Sequence, residues 1–157
     1  SDVTRRVGIT FGYEDDIALP SRRRVTLRWH EPIRRVLLVK KQQQEAVLAL
    51  AREIAAWLAA HGIAVIVEEE AISEFSGIPG ITSLITGEGP HPLAAVDLVV
   101  SLGGDGTLLH ASRLFRFLER GIDRLLPPCL VLGAGSLGFL ATAPAEDWQS
   151  SIQYLVR

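Results

Sequence analysis

Residues 103–107, Gly-Gly-Asp-Gly-Thr, hold a carboxylate among three glycines at the end of the apolar run Leu98-Val99-Val100-Ser101-Leu102. A helical pattern follows at once, so this stretch predicts a strand, a tight glycine turn and a helix N-terminus. Glycines let a backbone approach a phosphate without side-chain obstruction. The exposed N–H groups and the positive dipole end of the helix then favour the anion. A carboxylate at that apex repels phosphate, so Asp105 needs a chemical task of its own. Accepting a proton from a hydroxyl, or helping to hold a metal ion, would supply one. The pattern therefore points to phosphotransfer, in which Gly103, Gly104, Gly106 and Thr107 offer backbone and hydroxyl contacts to phosphate and Asp105 accepts the proton. Asp is also a good helix N-cap, but capping alone does not account for the surrounding glycines.

Elements on both sides must position this turn. Residues 1–24 mix Gly, Pro and charges without periodicity and are expected to form an extended or poorly ordered lead-in. Residues 25–157 are expected to form the folded domain. Arg24–Trp29 alternates polar and apolar, as a half-buried strand does, and Val36–Val39 is a continuous apolar run suited to a strand covered on both faces. Val47, Leu50, Ile54 and Leu58 recur at spacings of three and four and predict a helix from Gln43 to Ala60, stopped by His61-Gly62. Ile63–Val67 is the next strand. Residues 68–95, rich in Gly and Pro after Glu68-Glu69-Glu70, are too long for a plain connection; a functional loop or insertion at the edge of the site is expected.

The third strand, Leu98–Leu102, leads into a helix over Thr107–Glu119 that turns Leu108, Ala111, Leu114, Phe115 and Leu118 inward. A fourth strand, Cys129–Leu132, precedes a second glycine turn, Gly133–Leu140, and a last helix beginning near Pro144. Cys129 is expected to be a small buried core residue. Strands alternating with helices call for an α/β, Rossmann-like domain with a mostly parallel sheet and flanking helices. In such sheets ligands bind beyond the carboxyl ends of the strands, so both glycine turns are expected to border one crevice.

Bulk properties narrow the classes. The chain has 157 residues, 48% of them hydrophobic and 22% charged, enough for one soluble globular domain. The net charge of −2 argues against a general nucleic-acid binder, although residues 1–41 hold ten Arg or Lys against five acids. No apolar run reaches the length of a membrane span. A single cysteine fits a reducing compartment, and a cytoplasmic location is expected, with organellar targeting left open. The absence of methionine, and a stop at Arg157 inside an amphipathic pattern, lead us to expect an excerpt of a longer protein. There is neither a G-x-x-x-x-G-K-[ST] P-loop nor a G-x-G-x-x-G turn after the first strand, which sets aside Walker-type ATPases and ordinary dinucleotide-binding dehydrogenases.

Gly-Gly-Asp-Gly-Thr-Leu-Leu at 103–109, followed by Leu-Gly-Phe-Leu at 137–140, resembles the N-terminal domain of the NAD kinases. Leu27-Arg28-Trp29 and Val36–Lys41 resemble the eukaryotic branch, and the likeness runs from about Leu27 to Arg157. The GGDG turn alone is shared with 6-phosphofructokinases and with diacylglycerol and sphingosine kinases; the Leu-Gly-Phe-Leu turn narrows it. The resemblance implies ATP-dependent phosphorylation of the adenosine 2′-hydroxyl of NAD, giving NADP, with a divalent metal such as Mg²⁺. Asp105 matches the family's proton acceptor. Gly106 and Leu109 match positions that contact NAD, Phe139 a residue packing near its adenine, and His110 a variable polar position touching the dinucleotide. Each has a structural alternative: Leu109 as core, Phe139 as packing between turn and sheet, His110 as an exposed helix residue.

Family members often carry Asn or His and a larger residue just before the second turn, where this chain has Gly133 and Ala134. The resemblance also implies a β-rich C-terminal domain absent from this chain, without which the excerpt is expected to be inactive, and assembly as a homo-oligomer. The alternatives are a lipid kinase built on the same turn and a nucleotide-binding paralogue that has lost turnover.

Overall fold

The computed structural model describes residues 7–12, 24–84, 92–117, 127–134 and 140–156. Two strands, β1 (Val7–Gly12) and β2 (Arg24–Trp29), form an antiparallel hairpin in which Val7 is paired with Trp29 and Gly12 with Arg24. The first of them falls inside the stretch expected to be a lead-in.

The remaining strands are β3 (Arg35–Lys40), β4 (Ala64–Val67), β5 (Ile81–Ser83), β6 (Leu98–Gly103), β7 (Cys129–Gly133) and β8 (Ala143–Pro144). They form one six-stranded sheet in the order β5-β4-β3-β6-β7-β8, with every neighbouring pair parallel. From the central pair the chain winds outward in both directions. Helix α1 (Glu45–Ala60) carries it from β3 to β4, and α2 (Asp105–Leu114) carries it from β6 towards β7. Right-handed crossovers that leave the centre in opposite directions put their helices on opposite faces.

The core shows this. Val36, Leu38, Val65, Val67, Leu98, Val100 and Leu102 are buried together with Val47, Ala51, Ile54 and Leu58 of α1 and with Trp148 and Ile152 of α3 (Trp148–Val156). Leu37, Val39, Ile66 and Val99, the alternate residues of the same strands, are buried with Ala111 of α2. Successive side chains of a strand point to opposite faces, so covering both faces demands the unbroken apolar runs seen in the sequence. Each fully buried Leu or Ile contributes about 1.5–3 kcal/mol of transfer free energy. Helix α1 ends in a Schellman motif: Gly62 takes φ 73°, its N–H bonds Ala59 O at 3.0 Å, and Ile63 N–H bonds Leu58 O at 3.0 Å.

Several elements differ from expectation. The 68–95 segment is not one long loop. It holds a 3₁₀ turn over Glu69–Phe75 and the edge strand β5, both too short to leave a periodic signal. Helix α2 starts at Asp105 rather than Thr107, and gives way after Leu114 to a 3₁₀ turn over Phe115–Phe117. Leu118 and the expected helix end lie outside the described residues. Near Pro144 the chain first adds β8 and a 3₁₀ turn, Ala145–Asp147, before α3 begins. Cys129 is exposed, because it opens β7 ahead of the four residues that enter the core.

The base of the sheet is held by one carboxylate. Asp97 is 3% exposed, and its Oδ2 accepts the backbone N–H groups of Arg34 and Arg35 at 2.9 and 3.0 Å. Its carbonyl accepts Trp29 Nε1–H at 3.2 Å, which links the end of the hairpin to the start of β6. None of the helices among the described residues is long and apolar enough to cross a membrane.

Candidate functional site

The strand order reverses between β3 and β6, and the crevice at such a switch point is where open parallel sheets bind ligands. Three strand ends are aligned there. Lys40 pairs with Leu102, and Gly103 with Gly133, while Lys41 N–H bonds Leu102 O at 2.8 Å.

Gly103 closes β6 with φ 157°. A Cβ there would lie 2.4 Å from Thr107 Oγ1 and 3.0 Å from Lys41 Cβ, so only glycine lets α2 fold down this tightly onto the strand end. Gly104 is the N-cap of α2, with extended backbone. Its carbonyl accepts Thr107 N–H at 3.1 Å and Leu108 N–H at 3.4 Å, starting the helix. Neither Gly104 nor Gly106 has any atom within 4 Å of where a Cβ would stand. Packing therefore leaves both positions open to side chains, and their glycines keep the surface over the helix N-terminus low.

Asp105 is the first residue of α2, where the helix dipole favours a negative charge. Its Oδ1 accepts the backbone N–H of Leu140 at 3.1 Å. At the other end of the second glycine turn, Ala134 N–H bonds Gly103 O at 3.1 Å. The two turns are thus fastened together at both ends, as their shared edge required. Gly133 and Ala134 carry no side chain able to bond a ligand, and the Ala134 amide serves the junction itself. Residues 135–139 lie outside the described residues, and Phe139 with them.

The other expected residues fall on α2. Thr107 is half-buried with its hydroxyl tucked against Gly103, nearer the turn than open solvent. Leu109 is 52% exposed, so it is not core, and Leu140 beside the Asp105 carboxylate is 46% exposed. His110 Nε2 lies 2.5 Å from Glu68 Oε1. Gly103, Gly104, Asp105, Gly106 and Thr107 share one turn, while Leu109 and His110 stand on the following turn of the helix.

Sequence reasoning missed the groups that frame the site. Lys40, at the end of β3, is buried with its Nζ 2.6 Å from Glu74 Oε2, an ion pair without hydrogen-bond alignment. Arg52 of α1 donates to the carbonyls of Glu74 and Ser76. Ala71 and Phe75 are buried beneath this 3₁₀ turn. The signal for Glu68 was its place just past β4, on the edge where ligands bind. Among the described residues no three His, Cys, Asp or Glu side chains gather as a metal site.

Comparison with known proteins places this geometry. Residues 36–157 match the family model of the ATP-NAD kinase N-terminal domain. Over 141 residues the chain is 34% identical to NAD kinase 2, chloroplastic, of Arabidopsis thaliana, covering 87% of this chain and 14% of that protein. It is 34% identical over 115 residues to the NAD kinase of Acidobacterium capsulatum, covering 73% of this chain and 36% of the relative. The crystal structure of yeast NADH kinase complexed with NADH superposes with a TM-score of 0.69 at 27% identity, over 84% of this chain and 38% of that one. The chain thus spans well under half the length of these relatives. The matched sheet, with its glycine-turn edge, shows that this chain belongs to the ATP-NAD kinase family, as its N-terminal domain.

Proposed function

We propose that the polypeptide bearing this chain transfers the γ-phosphoryl group of ATP to the adenosine 2′-hydroxyl of NAD, giving NADP and ADP. The observation that carries this reading is the double fastening of the two glycine turns, Ala134 to Gly103 and Leu140 to Asp105, which sets a carboxylate at the glycine-flanked N-terminus of α2. In the reaction the 2′-oxygen forms a bond to the γ-phosphorus, the bond to the β–γ bridging oxygen breaks, and the hydroxyl proton passes to the Asp105 carboxylate. Gly103 and Gly104 shape the turn, and Gly106 leaves room above it for ligand. Thr107 braces the turn through its contact with Gly103. Leu109, and Phe139 in the second turn, supply apolar surface to the dinucleotide, and His110 a polar contact. A divalent metal such as Mg²⁺, carried by the ATP phosphates, would supply charge neutralisation at the transferring group.

This reading includes a β-rich C-terminal domain that completes the dinucleotide site, residues 25–157 as the N-terminal α/β domain and residues 1–24 as its lead-in. It also includes a cytoplasmic enzyme that works as a homo-oligomer, without a nucleic-acid or membrane partner; the net charge of −2 supports the former exclusion.

The test incubates the full polypeptide with Mg-ATP and either NAD or a mixture of diacylglycerol and sphingoid base, beside the Asp105→Asn variant. NADP formation that falls about 10²–10⁴-fold in the variant is expected of a lost general base. Phosphorylated lipid without NADP would move the protein to the lipid kinases. NAD binding without product would leave a nucleotide-binding module.

A further inference from the structure

Glu68 lies at neither glycine turn, yet its carboxylate reaches α2. It follows β4 directly and caps the 3₁₀ turn over Glu69–Phe75, and its Oε1 sits 2.5 Å from His110 Nε2. Strand β3 stands between β4 and β6, so β4 is about 10 Å from β6 across the sheet. The Glu68–His110 contact therefore crosses the carboxyl end of β3, over the switch point, and joins the two outward-winding halves of the sheet.

The pair is unequal. The Glu68 side chain is 14% exposed and that of His110 is 49% exposed. Glu68 is also firmly seated. Strand β4 fixes it on one side. On the other, the 3₁₀ turn is held by Lys40 on Glu74 and by Arg52 on the Glu74 and Ser76 carbonyls, with Phe75 buried beneath. His110 lies five residues after Asp105, about 7.5 Å along the helix axis, on the element that carries the carboxylate. Nε2 is engaged by the Glu68 carboxylate, which leaves Nδ1 as the ring atom able to meet a ligand.

We propose that Glu68 is a positioning residue for the dinucleotide: by gripping His110 Nε2 it fixes the orientation of the ring that the dinucleotide meets. The inference rests on the proposed function and deepens it. Glu68 touches no ligand; it acts through His110, much as groups behind a metal-bound histidine set its tautomer and direction.

The test uses the full polypeptide with Glu68→Ala, Glu68→Gln, His110→Ala and the Glu68→Ala/His110→Ala double variant. It measures the NAD dissociation constant by calorimetry, KM for NAD and for ATP, kcat, and Tm. Glu68→Ala is expected to weaken NAD binding about fivefold to tenfold in both Kd and KM, as loss of a charge-assisted hydrogen bond at a half-exposed site would. Its kcat and its KM for ATP are expected to stay within about twofold, because the lost interaction serves ground-state binding of one substrate. Glu68→Gln keeps an acceptor oxygen and is expected to recover part of the loss. In the His110→Ala background, Glu68→Ala is expected to have no further effect.

Unchanged NAD affinity in Glu68→Ala, or additive losses in the double variant, would overturn the inference. So would a fall in Tm accompanied by equal losses for both substrates. Wild-type protein that binds NAD without forming NADP would overturn the proposed function, while the Kd series would still judge Glu68. Failure to bind NAD at all would overturn both.

Discussion

Two glycines three residues apart are expected to answer the same substitution in opposite ways. A Cβ at Gly103 would stand 2.4 Å from Thr107 Oγ1, 3.0 Å from Lys41 Cβ and 3.1 Å from Thr107 Cβ, with φ at 157°. Lys41 and Thr107 are held by the β3 end and the first turn of α2, so neither can move without shifting an element. Overpacking of this kind costs about 1–3 kcal/mol, and the disfavoured backbone adds about 1–3 kcal/mol. Gly103→Ala is therefore expected to lose about 2–6 kcal/mol, moving the urea midpoint down by roughly 1–3 M.

At Gly106 a Cβ meets nothing within 4 Å and the backbone is helical. Gly106→Ala is expected to leave stability unchanged or raise it by about 0.5–1 kcal/mol through helix propensity. In the proposed reaction the added methyl would enter the space over the helix N-terminus that the ligand takes, and a displacement of about 1 Å at a reacting centre can cost 10²-fold. The expected pair of results is an unfolding-prone Gly103→Ala and a stable but kinetically impaired Gly106→Ala, read by urea unfolding and by NADP formation. Adding Thr107→Ala to Gly103→Ala removes the closest contact and is expected to recover about 1 kcal/mol. A Gly103→Ala protein as stable as wild type, or a Gly106→Ala protein with full activity, would refute the division between a fold glycine and a ligand glycine.

Three further outcomes are expected. Asp97→Ala strips the acceptor from Arg34 N–H and Arg35 N–H and is expected to cost about 2–4 kcal/mol in urea unfolding, while Asp97→Asn, which keeps an oxygen, costs roughly 1 kcal/mol. Lys40→Met leaves Glu74 without its cation and is expected to cost about 3–5 kcal/mol; Lys40→Met/Glu74→Gln is expected to regain most of it, read by the same unfolding curves. Cys129 reaches the surface at the start of β7, yet the packing around its sulfur desolvates the thiol and pushes it up from 9.0 to about 11, so the thiolate is scarce below that pH. Alkylation by iodoacetamide at pH 8 is expected to run about 100-fold slower than at an ordinary thiol and to recover as pH rises towards 11.

The sequence revealed most where composition and backbone geometry coincide. Val36–Val39 and Leu98–Leu102 read as strands because burial on both faces needs every residue apolar. Helix α1 read as a helix because Val47, Ile54 and Leu58 share one stripe. Strands β5 and β8, three and two residues long, gave no period; they are strands only because β4 and β7 offer them an edge. In the site, Asp105 and its glycines were legible because the residue types themselves specify the turn. Leu140 reaches Asp105 across 35 residues of chain and Glu68 reaches His110 across 42, and such meetings follow from strand order, which no local pattern records. Cys129 misled because its apolar neighbours concealed that it precedes the buried part of β7.

The seating of β3 between β4 and β6 also sets a timetable for synthesis. When the ribosome has released β3, α1 and β4, one long edge of the most central strand still lacks its partner. The N–H groups of Arg34 and Arg35 likewise await a carboxylate encoded 63 and 62 residues later. At about 5–20 residues per second, that interval lasts roughly 3–12 s, during which an apolar strand edge is open to wrong partners. Nascent chains stalled before Asp97 are expected to be cleaved readily around β3 and to bind holding chaperones, whereas chains released past Gly103 are expected to be protected. The arrangement that brings the Asp105 turn to the middle of the sheet thus makes the amino-terminal half depend on the translation of β6.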